Sequence, residues 1–315
     1  MVEEALQALP YDRKPARLYE PIRYELSLGG KRIRPVMMLM AYNIYKEKPE
    51  DIMMQALALE TYHNYTLLHD DLMDRAEIRR GKPCVHKVWD DNTAILSGDA
   101  MLVLAYERMA QCPDQQLPAV MRLFTQTALE IGEGQQYDML FETRNDVTAA
   151  EYIEMIRLKT SVLLACALRM GALLADAPES DQQALYAFGE NLGLAFQLQD
   201  DYLDVYGDPK VFGKRIGGDI LCNKKTYMLI QALLRANAEH RAQLDAWLAR
   251  TEYDEEEKIR AVTELYDEMN IAQVAQEKMD EYYQRALKCL DRIAVSEEKK
   301  RPLRQMADAL MKRQK

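Results

Sequence analysis

Six aspartates, spaced as two copies of one pattern, carry the most chemistry in this chain. Asp70, Asp71 and Asp74 form the first D-D-x-x-D, and Asp200, Asp201 and Asp204 form the second. Each copy closes an apolar stretch, residues 65–69 before the first and 194–199 before the second. On a helix, the first and last aspartates of a copy share a face about 6 Å of rise apart. Like charges there repel by roughly 0.2–0.5 kcal/mol and gain nothing structurally. A cation removes that cost. All-oxygen ligation points to Mg²⁺, which takes one or two carboxylates and completes its shell with water and substrate phosphates. A single D-D-x-x-D reads as a solvated acidic helix end. Two copies with apolar leads on the same side read as two metal clusters able to hold a diphosphate.

Candidate anion-binding residues accompany them. Lys31 and Arg34 stand at i and i+3 and are expected in the first turn of a helix. Cations there oppose the macrodipole by about 0.3–1 kcal/mol each, and a bound phosphate reverses the cost. Arg79 and Arg80 follow the first cluster by one short loop. The planar guanidinium suits phosphate oxygens; charge balance against Asp74 and Glu77 is the plainer use. Lys214 and Lys224 flank the glycine-rich segment after the second cluster. That segment could close over phosphates or be a surface turn, and it matches neither nucleotide-binding glycine motif. His63 precedes Asp70 by two turns on nearly the same face, which suits a diphosphate contact; a lone histidine in an apolar helix is otherwise a core residue. His69 and His86 read as structural.

The elements that must position these groups are helices. Apolar residues recur at helical spacing almost throughout, and no alternating strand pattern of any length is present. The pattern predicts helices near 16–28, 32–46, 51–75, 92–111, 115–142, 148–174, 181–206, 225–249, 255–269, 272–294 and 297–313. Gly29-Gly30 stops one helix, and Pro35 falls in the first turn of the next, where proline is tolerated. The 315 residues are 48% hydrophobic, enough for a large core, and no linker or low-complexity stretch divides them. One all-α domain over residues 1–315, a helical bundle around a central cavity, is therefore expected. Five cysteines (Cys84, Cys112, Cys166, Cys222 and Cys289) are scattered without a C-x-x-C and read as free thiols in a reducing cytoplasm. No apolar run of about 18 residues predicts a membrane span, and the first residues lack the features of a secretory signal. A net charge of −10 without a basic stripe argues against nucleic acid.

Several motifs then follow in a fixed order. They are Gly29-Gly30-Lys31-Arg32-Ile33-Arg34-Pro35; the first D-D-x-x-D with Arg79-Arg80-Gly81-Lys82-Pro83 after it; and Gly134-Gln135-Gln136-Tyr137-Asp138. Next come Lys159-Thr160, Gln197-Leu198-Gln199 before the second D-D-x-x-D, and Gly217-Gly218-Asp219-Ile220 before Lys224-Lys225-Thr226. This order resembles the trans-isoprenyl diphosphate synthases, or polyprenyl synthetases, over roughly residues 20–230. The resemblance implies an isoprenoid synthase fold in which the two aspartate clusters face each other across a deep cavity. Three Mg²⁺ ions would join them to an allylic diphosphate. Asp70 and Asp74 would be ligands with Asp71 in support, and Asp200 the main ligand of the second cluster, assisted by Asp201 and Asp204. Isopentenyl diphosphate would sit on Lys31, Arg34, His63 and Arg80. The allylic diphosphate would also meet Arg79, Lys159, Lys214 and Lys224. Lys159, Thr160 and Gln197 would offer neutral oxygens to the allylic cation, although a hydroxyl bonded to its own helix backbone is the plainer reading of Thr160. A homodimer in the cytoplasm is usual for the family.

The implied reaction is Mg²⁺-dependent condensation of isopentenyl diphosphate with dimethylallyl, geranyl or farnesyl diphosphate, releasing pyrophosphate. Tyr65 stands five residues before Asp70, about 7.5 Å toward the helix N-terminus. It is expected to floor the tunnel for the growing chain, with the small Thr66 adding little, so the product should be an all-trans C15 or C20 diphosphate. The plainer use of Tyr65 is a helix interface, with Tyr62 or a neighbouring helix setting the depth. A class I terpene cyclase shares the fold but usually replaces the second cluster by an Asn/Ser/Glu pattern. A non-catalytic subunit of a heteromeric synthase typically loses one cluster. This chain keeps both. The basic C-terminus (Lys299, Lys300, Arg301, Arg304, Lys312, Arg313, Lys315) reads as a solvated helix face or as a tail over the isopentenyl site.

Overall fold

The computed structural model describes residues 1–208 and 216–312. The chain forms two compact units, Met1–Thr125 with Cys166–Gln182 and Gln126–Ala165 with Gln183–Lys315. The first contains α1 (Val2–Gln7), α2 (Ala16–Ser27), α3 (Ile33–Asn43), α4 (Met53–Met73), the antiparallel hairpin β1 (Ile78–Arg79) and β2 (Lys82–Pro83), α5 (Val85–Val88) and α6 (Asp91–Met109). Apolar residues of α4, among them Leu57, Leu59, Tyr62 and Leu68, are buried, and the helix packs chiefly against α6 and α3.

The turn before α3 departs from expectation. Gly29, Gly30 and Arg32 all have positive φ, of 83°, 136° and 47°. Right-handed helix therefore cannot start before Ile33. Arg34 lies in the first turn of α3, but Lys31 lies ahead of the capping residue Arg32 and outside that turn. Buried Arg32 holds the turn. It donates from Nε to Glu3 (2.9 Å), from Nη1 to Glu60 (2.7 Å) and from Nη2 to the Leu26 carbonyl (2.7 Å).

The second unit takes the later part of α7 (Leu117–Thr143), α8 (Ala149–Ile156), a π-helical turn (Arg157–Ser161), the start of α9 (Val162–Leu174) and most of α10 (Glu179–Tyr206). Then follow α11 (Gly218–Leu221), α12 (Tyr227–Arg235), α13 (Ala238–Ala249), α14 (Glu255–Glu268), α15 (Ile271–Asp291) and α16 (Glu297–Met311). Tyr152, Ile156, Leu194, Leu198 and Ile230 anchor one core cluster, and Val205, Leu229, Val262 and Tyr266 another. A reciprocal capping box of Thr148 and Glu151 starts α8.

The expected helix over 225–249 is two helices. The Asn237 side chain accepts from the backbone N–H of His240 and starts α13 as an N-cap. The expected helix over 148–174 is interrupted by the π turn. The segment 76–87, between the helices expected near 51–75 and 92–111, contains the hairpin and α5. At the C-terminus Lys300 is not solvated: it is 3% exposed, donates to the Ile293 carbonyl and pairs with Glu297 at 2.6 Å. None of the five cysteines forms a disulfide. Lys214, Arg313 and Lys315 lie outside the described residues. No helix among the described residues is long and apolar enough to cross a membrane.

Candidate active site

In the first unit the aspartate cluster closes α4. Asp74 is the C-cap, and its backbone N–H donates to the Asp70 carbonyl at 2.9 Å, so helical geometry carries through the motif. Asp70 is half-buried and Asp74 exposed, while Asp71 is 3% exposed. Asp71 points into the hairpin. Arg79 grips it with two parallel bonds, Nε to Oδ2 at 2.7 Å and Nη2 to Oδ1 at 2.5 Å. A bidentate pair of this kind is strong and geometrically specific. The Cys84 thiol lies beside the same carboxylate; burial and that charge push it up to about 12.

The hairpin places Arg80 at its tip. Ile78 pairs with Pro83 and Arg79 with Lys82. The intervening Arg80 and Gly81 have φ of 52° and 77°, the double positive-φ turn that matches strand twist. A non-glycine residue held there is strained, a mark of functional sites. The Arg80 guanidinium donates to the Gly29 carbonyl. A Cβ on Gly30 would stand 2.8 Å from Arg80 Nη2 and push the guanidinium aside, and a φ of 136° is strained for any residue but glycine. The Gly-Gly-Lys-Arg and Arg-Arg-Gly-Lys motifs, some 50 residues apart, are thereby brought together, with Arg80 docked on the two glycines that precede Lys31.

Arg34, in the first turn of α3, is bonded to His63 of α4. Its Nη1 donates to His63 Nε2 at 3.2 Å. A guanidinium can only donate, so His63 must be the neutral tautomer protonated on Nδ1. Burial first, then the Arg34 charge, hold its pKa well below the usual 6.5. Thr66 donates to the His63 carbonyl at 2.7 Å, a backbone-bound role. Tyr65 packs edge-on against His69 (4.8 Å) and near Tyr62 (5.5 Å), and Tyr62 meets Phe124.

In the second unit the π turn carries Lys159 and Thr160. Lys159 Nζ donates to Asp138 on α7 at 2.6 Å. Thr160 Oγ1 donates to Gln197 Oε1 at 3.3 Å, and Gln197 Nε2 donates to Asp201 Oδ1 at 3.2 Å. The Tyr152 hydroxyl donates to the other oxygen of Asp201. Burial, then the charge of Asp219, push the Asp201 carboxyl up to about 7, against the pull of Lys224 and the two hydrogen bonds. Asp204 Oδ2 accepts from the Asp219 N–H at 2.9 Å and its carbonyl from the Gly217 N–H at 2.6 Å, which folds the chain after the second cluster back onto it. Exposed Lys224 lies 3.9 Å from Asp219.

Among the described residues no three His, Cys, Asp or Glu side chains converge as a metal cage. Magnesium requires none, since water and substrate phosphates complete its shell. Half-buried Asp70 and Asp200 and exposed Asp74 provide the hard carboxylate oxygens it prefers, so the donor set fits. Sequence reasoning missed Tyr152 and Glu25, and it gave Asp138 a place in a motif but no role. Glu25, fully buried on α2, stands near the Asp71, Arg79, Arg80 and Arg32 charges. Nothing in the spacing of Tyr152 and Glu25 marks them; only the fold does.

An all-helical chain with two aspartate-ended helices, each beside its own cations, has the chemistry of an enzyme that works on diphosphates. The polyprenyl synthetase family model matches residues 15–266. A short chain isoprenyl diphosphate synthase from Methanocaldococcus jannaschii is 38% identical over 83% of this chain and 79% of its own. A geranylgeranyl pyrophosphate synthase from Geoglobus acetivorans is 36% identical over 99% and 96%. Among solved structures, a geranylgeranyl pyrophosphate synthase superposes with a TM-score of 0.93 at 43% identity, over 99% and 96% of the two chains. The synthase from Corynebacterium glutamicum, solved with isoprenyl diphosphate and magnesium, has a TM-score of 0.87 at 26% identity, over 99% and 97%. The chain belongs to the polyprenyl synthetase family, whose members are trans-prenyltransferases.

Proposed function

We propose that this chain is one catalytic domain that condenses isopentenyl diphosphate with an allylic diphosphate to a short all-trans prenyl diphosphate. The observation that carries the reading is a complete set of motifs in family order, with both aspartate clusters intact. A cyclase needs no isopentenyl site, and Arg80 docked on Gly29 gives this chain the scaffold of one. The relatives named geranylgeranyl synthases favour a C20 over a C15 product.

Asp70, Asp74 and Asp200 would hold magnesium, in keeping with the magnesium bound to the Corynebacterium synthase. Bound magnesium would supply the positive charge that neutralises the diphosphate leaving group. Lys31, Arg34, Arg80 and neutral His63 bind isopentenyl diphosphate. Lys159 and Lys224, with Lys214, bind the allylic diphosphate. Arg79 acts there through Asp71, which it already clamps. The allylic C–O bond breaks to leave an allyl cation and pyrophosphate, and oxygens of Thr160 and Gln197 face that cation as preorganised dipoles. The isopentenyl double bond attacks, and the proton then lost goes to the released pyrophosphate. Tyr65, with the aromatic group of Tyr62 and Phe124 behind it, floors the chain. Free thiols at all five cysteines suit a cytoplasmic location.

Purified protein given Mg²⁺, isopentenyl diphosphate and farnesyl diphosphate should release pyrophosphate and lengthen the chain by one isoprene unit. EDTA should abolish this, and Asp70→Ala or Asp200→Ala should cut kcat by several orders of magnitude with the fold intact. Turnover that survives chelation, or near-normal rates in both folded variants, would refute the reading.

A further inference from the structure

Resting on the proposed prenyl transfer, the geometry points to Tyr152 as a positioning residue. We propose that its hydroxyl, acting through the Asp201 carboxylate, locks the Gln197 amide so that Gln197 and Thr160 turn oxygen, not N–H, toward a developing cation. The four groups form one hydrogen-bonded chain within the second unit. Tyr152 donates to Asp201 Oδ2, Gln197 Nε2 donates to Asp201 Oδ1 at 3.2 Å, and Thr160 donates to Gln197 Oε1 at 3.3 Å.

The polarity of that chain follows from donor inventory. Both Asp201 oxygens accept here, one from Tyr152 and one from Gln197, and an amide has one donating and one accepting end. With Asp201 on one side of Gln197, the NH₂ end must face Asp201 and the oxygen end must face Thr160. Thr160 then spends its single hydrogen on Gln197, which leaves lone pairs as its remaining capacity. Flipping the amide would set its oxygen against Asp201 and turn its N–H groups outward, where they would repel a cation.

Tyr152 is needed because the amide alone does not fix the carboxylate. Its ring is 1% exposed in the core of α8, and burial holds the phenol protonated, so it keeps the hydrogen that it donates to Asp201. Asp201 is itself 3% exposed. Removing the hydroxyl leaves a buried carboxylate oxygen without its partner. A buried acceptor so abandoned seeks another donor, and rotation of Asp201 frees Gln197 to flip.

Wild-type turnover, measured first, tests the prenyl-transfer reading; the following comparison tests the lock alone. Tyr152→Phe should lower kcat at least tenfold while both KM values and the Mg²⁺ half-saturation move less than twofold. In a Gln197→Ala background the same substitution should change kcat less than twofold, because the group it positions is gone. An unchanged kcat in Tyr152→Phe, or equal losses in both backgrounds, would overturn the lock. Should Tyr152→Phe fail to fold, 3-fluorotyrosine at position 152 keeps the ring and strengthens the donor. A kcat change confined to the Gln197-containing protein supports the lock, and an equal change or none in both backgrounds overturns it.

Discussion

Glu25 has both carboxylate oxygens buried on α2 without a hydrogen-bond partner among the described residues. Burial first, and then the Asp71 charge, push its carboxyl from the ordinary 4.5 up to about 7, with Arg79, Arg80 and Arg32 pulling the other way. A pKa raised on folding contributes stability that is whole below the unfolded value and lost as pH rises through the folded one. The loss here falls between pH 4.5 and about 7 and is at most about 3 kcal/mol. Glu25→Gln removes the titration. Its Tm relative to wild type should therefore improve by several degrees between pH 5 and pH 8. Parallel melting curves at the two pH values would mean that Glu25 is solvated. The same residue scale explains why Arg79 and Arg80, adjacent in sequence, differ in use. Strand alternation turns Arg79 onto Asp71 and the hairpin tip turns Arg80 onto Gly29.

Among the elements, the π turn at Arg157–Ser161 has an identifiable support. Such turns recur at functional sites because they re-aim side chains. A Cβ on Gly134 of α7 would stand 2.3 Å from the Lys159 nitrogen, and one on Gly193 of α10 would stand 2.7 Å from the Ser161 Cα. Both helices therefore meet the turn backbone to backbone, which only glycine permits. Gly134→Ala should displace the turn, cost about 1–3 kcal/mol and lower kcat at least tenfold. Gly132→Ala, two residues away with nothing within 4 Å of its added Cβ, should leave kcat unchanged and gain about 0.5–1 kcal/mol as an ordinary helix substitution. Steady-state kinetics and thermal melts of the pair check this; equal behaviour of the two variants would rule out the close approach as the cause.

For the whole molecule, α6 presents an apolar face that the described residues leave exposed. Ile95, Leu96 and Val103 are 43%, 60% and 68% exposed, and Leu96 and Val103 lie two turns apart on one side. A second copy of this chain is the occupant we propose, in accord with the homodimer usual for the family. Sedimentation should give a dimer, and Leu96→Glu with Val103→Glu should give a folded monomer, since charges on a buried apolar patch are not tolerated. A wild-type monomer at micromolar concentration would dismiss the proposal.

Local chemistry was enough for much of this protein. Helical periodicity located α2, α4, α6, α7, α10 and α14 to α16 within a few residues, because each must bury one stripe of apolar side chains. The aspartates were legible because three like charges beside an apolar face have no structural use. The ordered motifs carried the family with them. What the sequence could not disclose were contacts made across long separations. Arg80 meets Gly29 at a distance of 51 residues, Tyr152 meets Asp201 at 49, and Gly134 meets Lys159 at 25. The positive φ of Arg32 and Arg80, the break at Asn237 and the π turn depend on such neighbours or on single capping bonds. A motif states which side chains are available. Only packing decides which of them clamp another residue, as Arg79 does, and which are left to meet a substrate, because burial and partner geometry are properties of the folded chain.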